Sequence, residues 1–108
     1  MYSMKQPNAY KVNIIVVNGN KVSKVLIGRH YELKHSSYMN DDLILLLVKM
    51  LDGKNFPVDS TTKGIDYYVA DVEYGYPLKV YRLIWLFEGE MLEILGVINA
   101  YRRRRKTK

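Results

Sequence analysis

Seven side chains have the types needed to do chemistry together: His30, Lys34, His35, Arg82, Asn99, Tyr101 and Arg102. The set suits cleavage of RNA without a metal. That reaction needs a base for the ribose 2′-OH, cations for the charge that develops on phosphate, and an acid for the leaving 5′-oxygen. Histidine serves as base or acid near neutral pH. Arginine and lysine clamp phosphate, and tyrosine stacks on a base or donates a proton. Each residue also has a plainer explanation. Both histidines fit the surface of a helix. Arg82 fits a cross-strand ion pair with Asp66 or Asp71, and Tyr101 fits ordinary strand packing.

Other chemistries lack their residues. There is no glycine-rich phosphate loop and no H-E-x-x-H. His30 and His35 are five apart, which does not place two ligands on one helical face, so neither a metal nor a cofactor is expected. No serine sits in a nucleophile elbow. With no cysteine, the chain has no disulfide, no thiolate metal site and no thiol nucleophile, which is compatible with a reducing cytosol. A cytoplasmic location is the expectation. The first ten residues have no apolar core of signal-peptide length, and runs such as Leu43 to Val48 are too short to span a bilayer.

The elements that must position these residues are legible from pattern. A chain of 108 residues with 48% apolar content implies one domain with a real core. Tyr10 to Val17 reads as a strand, Asn18-Gly19 as a tight hairpin turn, and Lys21 to Ile27 as the return strand. Gly28 to Ser37 reads as a short helix that puts His30 and Lys34 on one face and Tyr31 and His35 on the next. Asn40 is a good N-cap for a second helix, from Asp41 to about Leu51, with Gly53 just past its end. Leu43, Leu46, Leu47 and Met50 are expected as its buried stripe, widened by Ile44, Leu45 and Val48. Lys54 to Lys63 reads as a loop and Ile65 to Glu73 as a third strand, which turns at Gly75 and Pro77.

The stretch from Leu78 to Tyr101 is the expected centre. It reads as two strands, Lys79 to Phe87 and Met91 to Tyr101, joined by Glu88-Gly89-Glu90. Both are apolar on both faces, which predicts cover on both faces. Trp85 and Val97 should be buried. The predicted fold is α+β: a twisted antiparallel sheet of about five strands with two helices packed on one face.

The net charge of +6 is concentrated at the C-terminus. Arg102 to Lys108 holds six of the 17 basic residues and none of the 11 acidic ones, which leaves residues 1–101 neutral. The domain is therefore read as residues 10–101, with a flexible lead-in at 1–9 and a basic tail at 102–108. The tail is either a solvated end or an arm for phosphate backbones. On the second view Asn99, Arg102, Arg103, Arg104, Arg105 and Lys106 bind nucleic acid.

Two stretches, HYELKHSSYMNDDLILLLVKMLDG and YRLIW…LGVINAYRRR, resemble the small toxin ribonucleases of the barnase, colicin and RelE-like superfamily. The similarity runs over roughly residues 22–105. It lies in a His at the start of a helix, a basic residue a few positions on, the Tyr81-Arg82 pair, and Asn99-Ala100-Tyr101-Arg102 in the last strand. The resemblance implies an endoribonuclease that needs no metal and is held inactive by a cognate antitoxin or immunity protein; the neutral body with its basic arm makes an acidic one the expected partner. The resemblance also implies that His30, Lys34 or His35, Arg82 and Tyr101 are the working positions. Many members carry Thr or Ser near the position of Asn99. Asparagine cannot act as an acid, so Asn99 would bind or orient. Two readings of other classes stand beside this one. One is a non-catalytic nucleic-acid-binding module that uses its tyrosines and basic tail. The other is a small structural protein of a virus or mobile element.

Overall fold

Asn18 and Gly19 both take positive φ, 53° and 77°, as a two-residue hairpin turn requires. They join β1 (Asn8–Val17) to β2 (Asn20–Ile27) in the computed structural model, which describes residues 6–103. Two helices follow, α1 (Glu32–His35) and α2 (Asp41–Lys49), and then β3 (Ser60–Thr62), β4 (Ile65–Tyr74), β5 (Lys79–Glu88) and β6 (Ile94–Arg102). The domain is α+β, built on one six-stranded sheet in the order β1-β2-β6-β5-β4-β3.

The β5–β6 hairpin lies in the middle of the sheet, as its two-sided apolar character implies. Two features correct the expected antiparallel sheet of about five strands. First, β6 pairs parallel to β2, with Lys24 to Ile27 beside Ile94 to Val97. Local signals reveal hairpins, because a turn leaves residues of its own. A parallel pair joined across most of the chain leaves none. Second, the expected loop at 54–63 contains β3, three exposed residues paired with Ile65 to Tyr67.

The helices also differ from the expected pair on one face. α1 is a single short turn with no buried residue, and α2 supplies the buried apolar cover. Its buried stripe is Ile44, Leu47 and Val48, continued by Leu51 just past its end, and packs in one core with Leu83, Trp85, Leu95 and Val97. Leu46 and Met50 are exposed at 38% and 39%, and Leu43 is only half-buried. The expected stripe was out of phase: the i, i+3, i+4, i+7 series that meets the sheet starts at Ile44. Asn40 caps the helix through its Oδ1, which accepts from the Leu43 amide at 2.8 Å. Trp85 and Val97 are buried, which fixes the register of the central hairpin. Trp85 is stacked on Tyr68 and meets Phe56 edge-on. On the opposite face Tyr67, Leu86 and Ile98 form a small cluster flanked by Ile84.

The ends of the domain differ from the expected boundaries. β1 already begins at Asn8, inside the expected lead-in. Arg102 belongs to β6, and the Arg103 amide donates to the Val80 carbonyl at 2.7 Å. The expected arm residues Arg104, Arg105 and Lys106 lie outside the described residues.

Asp41 fastens three elements. Its carboxylate accepts from Asn8 (2.7 Å), Tyr31 (2.6 Å) and Arg29 (3.2 Å), and Tyr10 Oη also bonds it. Burial works against this charge. The hydrogen bonds outweigh burial and hold the carboxyl down at about 2. Burial, then the hydrogen bond to Asp41, pushes the Tyr31 phenol well above its ordinary value.

Candidate active site

β2 stops at Ile27, whereas β6 runs on past Val97 to Arg102. The outer edge of β6 beyond Val97 therefore has no strand beside it. The chain that leaves β2 fills the gap: Gly28 donates to the Val97 carbonyl at 2.9 Å, and the α1 segment follows. This brings His30, Lys34 and His35 next to the end of β6 although they lie some 65 residues away in sequence.

His30, Leu33, Lys34, His35 and Asn99 line a cavity of about 220 Å³. His30 and Lys34 share it, but not as one face of the expected helix from Gly28 to Ser37. α1 begins only at Glu32, so His30 precedes it, and His35, expected on the neighbouring face, lines the same cavity. His30 and Lys34 are exposed, and His35 is half-buried. Asn99 is the one buried polar residue of the described core, at 9% exposure. It follows a bulge in β6, where Ile98 is an extra residue between the pairs Trp85–Val97 and Ile84–Asn99. Such a bulge re-aims the side chains beside it.

The His35 ring stacks on Tyr101 with centroids 5.3 Å apart and planes 24° from parallel. Its Nδ1 lies 2.7 Å from the Tyr38 hydroxyl. Tyr38 also takes the Arg102 amide at 3.3 Å, which satisfies part of the uncovered β6 edge. The Arg102 guanidinium lies 4.4 Å from the centroid of the Tyr38 ring. Burial, then the charges of Lys34 and His30, hold the His35 imidazole below its ordinary value. Both effects favour the neutral form of the ring.

Arg82 faces Tyr101 across the β5–β6 ladder. Its guanidinium is engaged by Asp71, the directly opposite residue on β4, with Nε donating at 2.8 Å and Nη2 at 3.2 Å. Of the two partners the sequence allows, the structure selects Asp71. Asp66 accepts from Thr61 instead. Arg103 donates to the same Asp71 carboxylate at 3.0 Å. The Asp71 hydrogen bond, with Tyr101 contributing, raises the Arg82 guanidinium above its ordinary value.

The structure therefore joins most of the expected residues into one surface. Lys34, His30, His35 and Asn99 share the cavity. Tyr101 covers His35, and Arg82 and Arg103 meet on Asp71 beside it. Arg102, opposite the core residue Tyr81, turns to the other face of the strand, with its guanidinium over Tyr38. Sequence reasoning missed Tyr38. Its signal was the spacing of three from His35, which brings side chains together on one helical turn. Among the described residues no group of three or more His, Asp and Glu is placed to hold a metal ion. No described helix is long and apolar enough to cross a membrane. Set beside known proteins, the chain matches no family model, no curated protein and no solved structure.

Proposed function

We propose that the protein is a toxin-like endoribonuclease that cleaves RNA by attack of the ribose 2′-OH, without a metal. One observation carries this reading: two histidines, a lysine and a buried asparagine line a single cavity, flanked by a stacked tyrosine and an arginine. A pure backbone binder has no need of histidines there. In the proposed reaction His30 takes the 2′-OH proton, and the 2′-oxygen attacks the phosphorus. Lys34, His35 and Arg82 stabilise the charge on the phosphoryl oxygens. The 5′-oxygen leaves with a proton, for which Tyr101 is the donor in reach of the stack. The products are a 2′,3′-cyclic phosphate and a 5′-OH. Arg102 and Arg103, with Arg104, Arg105 and Lys106 beyond them, hold the flanking backbone.

The test is incubation of the purified protein with total RNA in EDTA, beside His30→Ala. Metal-free cleavage that leaves cyclic phosphate ends and is lost in the variant supports the reading. Equal cutting of substrates that lack the 2′-OH overturns it. An acidic antitoxin or immunity protein is the proposed restraint in the cytoplasm. Expression alone should then arrest growth, and His30→Ala should relieve the arrest.

A second reading is favoured by one contact. Arg82 is already bound on two nitrogens by Asp71, which takes it from the phosphate clamp that catalysis needs and leaves binding to the exposed Arg102 and the tail. On that reading the protein retains RNA in a salt-dependent way and leaves it intact.

A further inference from the structure

The Tyr38 oxygen lies between two nitrogens. One is the backbone amide of Arg102, at 3.3 Å. An amide N–H can only donate, so the oxygen accepts there. The other is His35 Nδ1, at 2.7 Å. The phenol has one hydrogen, and placing it on the line to Nδ1 satisfies both contacts. Nδ1 is then an acceptor, and a neutral imidazole whose Nδ1 accepts carries its proton on Nε2. Stacking on Tyr101 holds the plane of the ring.

Asn99 is resolved by the same logic. The Ala100 amide donates to Asn99 Oδ1 at 2.9 Å, so the side-chain carbonyl is occupied. Asn99 is nine-tenths buried, and its NH₂ group is what remains to serve the cavity it lines. Lys34 has only donors to offer. No carboxylate lines this cavity. Asp41 is engaged by Asn8, Tyr10, Arg29 and Tyr31, and Asp71 by Arg82 and Arg103.

We infer that the cavity is a phosphate pocket in which His35 presents Nε2–H to an anionic oxygen, its tautomer fixed by Tyr38 as a positioning residue. The ligand class, a phosphodiester, rests on the ribonuclease reading; the donor character of the pocket does not. The low proton affinity of His35 agrees with a neutral N–H donor there. The role of base is left to His30.

The test is a long-range ¹H–¹⁵N correlation spectrum of the ¹⁵N-labelled full chain at neutral pH, titrated with inorganic phosphate. The expected result is an unprotonated Nδ1 and a protonated Nε2 on His35, with phosphate shifting both His35 Nε2 and the Asn99 side-chain amide. Tyr38→Phe keeps the ring over Arg102 and removes only the hydroxyl. It should give nitrogen shifts averaged over two tautomers, and phosphate binding weakened about 2-fold, since only the Nε2–H tautomer is then competent. A protonated Nδ1 in the wild type, or phosphate that leaves both groups unmoved, overturns the inference. Metal-free RNA cleavage by a protein with Nδ1–H on His35 would sink the pocket and keep the ribonuclease. A fixed Nε2–H tautomer with phosphate bound and no cleavage would do the reverse.

Discussion

Arg82 and Asp71 remain about one-third exposed, at 30% and 35%, while they hold each other. Ion pairs of that exposure contribute about 0–1 kcal/mol to stability. Arg82→Ala should therefore barely move the denaturant midpoint. If Arg82 stabilises the transition state, the same change should lower the cleavage rate about 10²- to 10³-fold. The opposite pattern, an unchanged rate and a large loss of stability, would make the residue structural. His30→Ala should cost roughly 10²- to 10⁴-fold, the range for a positioned base, with the fold intact because the side chain is exposed. At this scale the sequence is informative about identity and leaves the choice of partner open. His30, Lys34, His35 and Asn99 were recognisable because few residue types do this chemistry. Which acid would hold Arg82 depended on strand register, which a list of residue types does not contain. The role of Tyr38 depended on where β2 ends relative to β6.

At the scale of elements, Asp41 shows what local reasoning misses. From sequence it is a first-turn acid that suits the positive end of a helix dipole. In the fold it also ties the start of β1 and the Arg29-His30-Tyr31 turn to α2, through contacts 10 to 33 residues away in sequence. Its carboxyl is held at about 2, below the unfolded value of 3.8. A group depressed in the folded state stabilises above its unfolded pKa, and that contribution is lost as the pH falls through the folded one. The loss should run from about pH 4 to about pH 2 and amount to about 2 kcal/mol. Stability measured against pH should show this limb, and Asp41→Asn should flatten it while lowering stability at pH 7. An unchanged acid limb in the variant would mean that another group sets it. The phase of α2 has a similar explanation. Its apolar residues are so dense from Leu43 to Leu51 that several stripes fit the sequence, and only the sheet beneath selects Ile44, Leu47, Val48 and Leu51. Asn40→Ala should cost about 1 kcal/mol in thermal or denaturant unfolding, the usual worth of an N-cap.

At the scale of the whole molecule, charge and topology matter most. Removing residues 104–108 should flatten the salt dependence of RNA binding, since four cations go with them. Extending the deletion through Arg103 also removes its bonds to the Val80 carbonyl and Asp71. It should lower the melting temperature beyond the shorter deletion. Equal melting of the two truncations would show that the Arg103 contacts carry no weight. The α+β class and the central hairpin were legible because apolar content and turn residues mark them. The mixed sheet was not, because β2 and β6 meet across nearly seventy residues of intervening chain.

That same parallel pairing sets an order of events on the ribosome. β6 is the last described element to be made, and it is the seam between β1–β2 on one side and β3–β5 on the other. Until it emerges, the nascent chain can form two hairpin-based halves but no continuous sheet, and His30, Lys34 and His35 have nothing to meet. Asn99 and Tyr101 arrive with the seam itself. The cavity therefore cannot form until β6 has emerged, however early its histidines are made.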